Sequence, residues 1–138
     1  MRDIKFRGFC KRKKRWIYGD LSQLNNFNQP SIVEGIYHVD GAEYNMNESE
    51  VEEESIGQYT GLEDKNSKEI YEGDIVRFTW HSVLCSSEKP IDRRYEVVYI
   101  DGGFRQADTY GSIGNWYKWD EVEIIGNIYE NPELLEEK

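Results

Sequence analysis

Histidine is nearly missing from this chain: His38 and His81 are the only two in 138 residues. Cysteine is as scarce, with Cys10 and Cys85 alone, so a structural zinc site would lack the dense Cys/His ligand set it usually needs. Two cysteines in a chain of this size read as reduced, small hydrophobes rather than a disulfide. A Cys/His nucleophile pair would need His81 and Cys85 to meet, and "HSVLCSSEKP" reads as a loop between strands. No apolar run approaches the roughly 20 residues that cross a bilayer, which excludes a spanning helix. The start, "MRDIKFRGFCKRKKRW", alternates charge with apolar residues and lacks the continuous apolar stretch of an export signal, so a cytoplasmic protein is expected. Glycine-containing stretches such as "GSIGN" and "DGGFR" have neither the P-loop lysine nor dinucleotide spacing. In "DKNSKE", Lys68 stands where a calcium loop needs a ligand. The expectation is therefore no metal, no cofactor and no catalytic residue. The carboxylates Glu69, Glu72 and Asp74 read as turn and strand-edge groups.

Basic charge is also in deficit, with 17 Lys and Arg against 27 Asp and Glu, for a net charge of -10. The imbalance is uneven. Residues 1–15 hold eight of the bases and one acid, Asp3, which leaves nine bases and 26 acids for the rest. Nucleic acid and anionic membranes are repelled by the molecule as a whole, and only Lys11, Arg12, Lys13, Lys14 and Arg15 form a cluster able to contact phosphates. What the chain has in quantity is aromatic side chains, 14% of residues within a 38% hydrophobic total, which is too rich for a disordered protein. One domain spanning 1–138 is the expectation from length.

The pattern of residues is that of strands. Residues 4–10 alternate as a half-buried strand does, and "WIYGDL" resumes after the basic run, which places Lys11–Arg15 at the exposed tip of a β-hairpin. Residues 22–30 read as loop, "SIVEGIYHV" as a strand running to the Asp40-Gly41 turn pair, and the acidic stretch 40–55 as a solvated loop with at most one helical turn. In "IYEGDIVRFTW", Val76, Phe78 and Trp80 share one face. "YEVVYI" turns through Asp101-Gly102-Gly103 into "FRQ" as a hairpin. "VEIIGNIY" is a last strand interrupted by Gly126, and Pro132 suits the first turn of a short C-terminal helix. Six to eight short antiparallel strands in a small barrel or sandwich, with that helix at the end, is the predicted fold.

Four blocks carry a resemblance: "MRDIKFRGF", "WIYGDL", "QYTGLEDKNSKEIYEGDIV" over 58–76 and "IIGNIYENPELL" over 124–135. Their sequences, order and spacing are similar to those of the YopX family of small phage and prophage proteins. The resemblance implies a mainly β fold, a bacterial cytoplasmic setting and assembly into homo-oligomers, and it brings no catalytic residue. The family pattern has glycine where Ser67 stands, which puts the geometry of that turn in question, since Asn-Gly suits a type I′ turn and Asn-Ser does not.

Two surfaces are candidates for function. Trp116, Tyr117 and Trp119 in "NWYKWD" serve either as core filling or as an oligomer interface, where aromatic residues supply large contact area. The tip Lys11–Arg15 serves as a solvated hairpin end, as a nucleic-acid contact, or as the partner of the acidic 48–54 segment in another copy. The predicted function is a non-enzymatic interaction module whose partners are itself and a host or phage protein. Nucleic-acid binding through the tip is the alternative.

Overall fold

Alternating residues near the start form β1 (Phe6–Cys10), and the basic run becomes a turn, Lys11–Lys14, that leads into β2 (Arg15–Ser22). The two strands pair from Phe6 opposite Gly19 to Cys10 opposite Arg15. The Lys14 N–H donates to the Cys10 carbonyl at 2.8 Å, and Lys14 takes a φ of 57°. This left-handed residue lets the short loop close. The computed structural model describes residues 3–23, 29–45, 47–80, 90–115 and 117–136, and the chain divides into two compact units, Met1–Tyr59 and Thr60–Lys138.

In the first unit, the segment expected as one strand over 31–39 is two: β3 (Ser31–Val33) and β4 (Ile36–Val39), separated at Gly35, whose φ is 103°. The acidic stretch expected as loop is a further correction. It holds β5 (Ala42–Asn45), β6 (Glu48–Glu50) and a 3-10 turn at Glu53–Ser55. Asp40 and Gly41, with φ of 51° and 80°, have the two left-handed residues of a type I′ turn and fold β5 back on β4. β6 pairs with β3, Ile32 opposite Ser49, so charged side chains ride on an edge strand that is paired along one side. Acids on such a strand discourage further pairing. Along the first sheet the order is β6-β3-β2-β1, and β1 also pairs through Phe6 and Arg7 with the start of β7 (Gly57–Glu63).

Cys10, Ile17, Ile32 and Val51 form the core of this unit, with Phe6, Leu21 and Ile56 against it. Val51, the apolar residue among the acids, is 1% exposed and lies over Gly8, where a Cβ would come within 2.6 Å of its methyl group. Gly8 is thus the gap that lets the acidic segment dock. Each such buried aliphatic side chain contributes about 1.5–3 kcal/mol. Cys10 is free and buried, and Cys85 lies outside the described residues.

In the second unit, the later half of β7 turns at residues 64–68 into β8 (Glu69–Tyr71), and the chain continues as β9 (Asp74–Trp80), β10 (Ile91–Ile100), β11 (Gly103–Ala107), β12 (Ile113–Gly114) and β13 (Glu123–Asn127). The five-stranded sheet has the order β12-β11-β10-β9-β13, all antiparallel. Asp101 and Gly102 make the expected β10–β11 hairpin, again with two left-handed residues. The register shift between Ile124 and Gly126 is a bulge, the interruption that Gly126 signalled. Its core joins Ile70, Val76, Tyr95, Val97 and Val122.

The fold is therefore mainly β, as predicted, with three differences. Neither sheet closes into a barrel, and thirteen strands stand among the described residues because several are only two to four residues long. The C-terminal helix is no more than a 3-10 turn, Pro132–Leu135: Pro132 starts it, but four residues cannot carry the i→i+4 ladder of an α-helix.

The turn at Ser67 resolves the question its sequence raised. The Ser67 N–H donates to the Asp64 carbonyl at 3.0 Å and Ser67 has a φ of 62°, whereas Asn66 has no positive φ. This is a type I turn followed by a left-handed residue, not a type I′ turn. A non-glycine residue there costs about 1 kcal/mol, partly offset in glycine by greater unfolded-state freedom. Ser67→Gly should raise stability by about 0.5–1 kcal/mol in urea melts; a loss of stability would contradict the assignment.

Candidate interaction surfaces

The hairpin tip of the first unit is largely occupied by its own chain. The Lys13 ammonium donates to Ser49 Oγ at 2.6 Å, and Lys11 Nζ stands 3.7 Å from Glu52 Oε2. Arg15 meets Glu34 with both terminal nitrogens, at 3.0 and 3.5 Å. The acidic segment expected to receive the tip of another copy thus receives it within the same chain. Exposed pairs of this kind are worth about 0–1 kcal/mol each, so they orient the tip more than they stabilise it. Arg12 and Lys14 are exposed and have no ion-pair partner among the described residues. Behind the tip, Phe9 and Trp16 meet edge to face at 5.5 Å, and the Arg7 guanidinium lies 4.8 Å above the Trp16 ring.

The second unit presents an aromatic surface, and the pleat of its sheet explains why. β9 sends Val76, Phe78 and Trp80 to one face, and β10 sends Tyr95 and Arg93 to the same face through the pairs Val76–Tyr95 and Phe78–Arg93. Val76 and Tyr95 are covered by the core, but the same face runs on beyond it. Tyr117 lies on Phe78, ring centroids 3.9 Å apart and planes 10° from parallel. Past that stack, Trp80 is 48% exposed. Phe78, Trp80, Arg93 and Tyr117 line an open, mostly apolar groove of about 360 Å³.

Tyr117 is held there by a residue whose role the sequence did not reveal. Gln106, on β11, is fully buried; its amide nitrogen donates to the Tyr117 carbonyl at 3.1 Å and its amide oxygen accepts from the Tyr117 N–H at 3.3 Å. One side chain thereby does for Tyr117 what a neighbouring strand would do. The expectation that a strand sets Tyr117 and Trp119 side by side is replaced by this clamp followed by a 3-10 turn, Trp119–Glu121. Tyr117 and Trp119 both pack on the core, so they act as filling as well as surface, and Trp116 lies outside the described residues. Burial, with the Tyr117 hydroxyl beside it, pushes the Tyr95 phenol up to about 12.

The remaining polar groups have structural work. Asp74 Oδ2 accepts the Tyr71 N–H at 2.7 Å and caps the β8–β9 turn. Burial raises the Glu96 carboxyl above the ordinary range, helped by the charge of Glu72. Glu123 is held low by hydrogen bonding to Arg77 at 3.2 Å, with Lys65 at 3.4 Å. Among the described residues no three His, Cys, Asp or Glu side chains converge as a metal site requires, and no helix is long and apolar enough to cross a membrane. His81, like Cys85, lies outside the described residues, as does the side chain of His38.

These features define an antiparallel β protein of two small units, one ending in a cationic hairpin and the other in an open aromatic face. The YopX family model matches residues 5–136, and the chain belongs to the YopX family. The SPbeta prophage-derived uncharacterized protein YopX of Bacillus subtilis (strain 168) is 35% identical over 75 residues, which cover 50% of this chain and 52% of that protein. The chain thus spans about half the length of this curated relative. Among solved structures, the crystal structure of protein EF1440 from Enterococcus faecalis is similar over 99% of this chain and 100% of that one, with 27% identity and a TM-score of 0.57. The X-ray structure of protein yopX from Bacillus subtilis is similar over 100% and 99%, with 22% identity and a TM-score of 0.50, a likeness of fold.

Proposed function

We propose that this protein is a phage- or prophage-encoded accessory protein that acts in the bacterial cytoplasm as a non-enzymatic interaction module, binding a host or phage protein and assembling with itself. The carrying observation is the open end of the aromatic sheet face. A sheet that buries Val76 and Tyr95 yet leaves Trp80 half exposed beside a locked Phe78–Tyr117 stack keeps a rigid apolar platform in water. Rigid aromatic anchors of this type dominate binding energy at protein interfaces. The prophage origin named for the Bacillus subtilis relative agrees with the setting.

The test compares the native chain with Trp80→Ala, both immobilised in lysate of the bacterial host. A stoichiometric band retained by the native chain and lost with Trp80→Ala is expected; equal retention by both would end this assignment of the platform. Self-assembly is read separately, as a single oligomer in light scattering at micromolar concentration, and a strict monomer there would remove that part of the proposal.

The exposed Arg12 and Lys14 favour a second reading, nucleic-acid contact by the tip. It receives less support, because Lys11, Lys13 and Arg15 are already engaged by Glu52, Ser49 and Glu34. Two remaining cations give a weak contact whose salt dependence is shallow, with a log–log slope of about -2. A gel shift at low salt that vanishes in Arg12→Glu/Lys14→Glu would reinstate it.

A further inference from the structure

We propose that the groove of Phe78, Trp80, Arg93 and Tyr117 recognises an acidic peptide segment in which a large apolar side chain sits next to a carboxylate. This rests on the interaction-module reading of the same face and specifies the partner's chemistry. The carrying detail is the state of Arg93. On β10, Asp92 and Arg94 point to the opposite face, where Arg94 Nη2 stands 3.5 Å from Asp92 Oδ2 and Arg94 Nη1 donates to the Leu134 carbonyl at 3.1 Å. Both are committed. Arg93, on the aromatic face, has only a 3.4 Å contact to the carbonyl of Asp92, and no carboxylate partner among the described residues.

An exposed guanidinium at the edge of an apolar groove is a directional feature. Its fork matches a carboxylate with two parallel hydrogen bonds, a geometry an ammonium cannot supply. The cross-strand pair Phe78–Arg93 fixes where that carboxylate must lie relative to the aromatic platform. An apolar side chain on Trp80 and Tyr117 and an acid on Arg93 therefore belong to neighbouring positions of one ligand chain. A volume of about 360 Å³ takes one or two side chains, not a folded surface. Nucleic acid fits less well, since a strand bound by stacking also needs a row of cations along its phosphates, and among the described residues that line the groove Arg93 is the one cation. The net charge of -10 does not forbid an acidic ligand, because charges beyond a Debye length of about 8 Å are screened at physiological salt.

The experiment is fluorescence polarisation on the full chain with two labelled octapeptides, GEELWEEG and its charge-swapped counterpart GKKLWKKG. The acidic peptide should bind saturably and about tenfold tighter than the basic one, the preference a single close charge pair supplies. Arg93→Glu should reverse that preference, and Trp80→Ala should weaken the acidic peptide by about tenfold, as loss of an aromatic anchor does. Arg93 is exposed and Trp80 half exposed, so both variants should keep a cooperative melting transition, with at most a small drop for Trp80→Ala. Equal binding of the two peptides, or acidic binding that survives Arg93→Glu, would overturn the proposal. So would a labelled single-stranded oligonucleotide held at this face in preference to GEELWEEG. The two readings fail separately: a lysate partner lost with Trp80→Ala but retained by Arg93→Glu sinks the acidic specificity and leaves the interaction module standing.

Discussion

Asp64→Ala should cost about 3–4 kcal/mol of stability, because three backbone N–H groups lose a charged acceptor at once. Asp64 Oδ1 accepts from Asn66 at 2.8 Å and from Lys68 at 2.9 Å, which shapes the β7–β8 turn. Its Oδ2 accepts from Ile124 at 2.9 Å, which ties that turn to β13. The residue is 4% exposed, so water does not replace these bonds freely. Burial by itself would raise the carboxyl, but the three N–H donors and the Lys68 charge outweigh it and hold Asp64 below its ordinary value of 3.8. A carboxylate whose folded value is depressed contributes stability that is complete above the unfolded value and is lost as pH falls through the folded one. The difference between the native chain and Asp64→Ala should therefore be constant from about pH 5 upward and shrink below about pH 4, where the unfolded carboxyl begins to bind protons. Urea melts between pH 2 and 7 measure this; a gap that stays constant down to pH 2 would show that the charge plays no part.

Gln106→Met should cost about 2–4 kcal/mol, since a similar volume returns but the Tyr117 N–H and carbonyl lose both partners in a part-buried place. The effect has a second component. Freed from its clamp, Tyr117 no longer lies fixed on Phe78, so binding at the groove should weaken even where the variant remains folded. Gln106→Glu separates the two bonds. Its ionised carboxylate opposes the Tyr117 carbonyl, whereas its protonated form restores a donor. The defect of Gln106→Glu should thus be large at pH 8 and diminish toward pH 5. Equal defects at both values would remove the clamp as the explanation.

Much of this was legible in residue pattern. Period-two alternation placed β1 and the shared face of Val76, Phe78 and Trp80, and the Asp-Gly pairs marked both type I′ turns, because glycine and aspartate tolerate positive φ at low cost. The acidic stretch misled because its strands are held by partners distant in sequence. β6 exists through its pairing with β3, and Val51 is anchored by the missing side chain of Gly8. Neither relation has a local signature. Gln106 was equally hidden, since a polar residue in a strand reads as solvent-facing until the chain that crosses above it is known. Arg93 could be placed on a face from the pleat, but that Asp92 turns to Arg94 and no carboxylate among the described residues reaches Arg93 has no local signature.

The bond from Ile124 to Asp64 joins residues 60 apart, and the Lys65 N–H donates to the Val122 carbonyl at 2.9 Å beside it. A turn that looks local is thus completed by chain synthesised much later. At a translation rate of about 5–20 residues per second, the β7–β8 turn waits several seconds for its last acceptor to be used. During synthesis, the strands of Met1–Tyr59 can pair among themselves, while Thr60–Lys138 holds an unsealed sheet edge until β13 emerges. The growing chain is then open to wrong pairing along β9 from the moment that strand forms until Glu123–Asn127 reaches it.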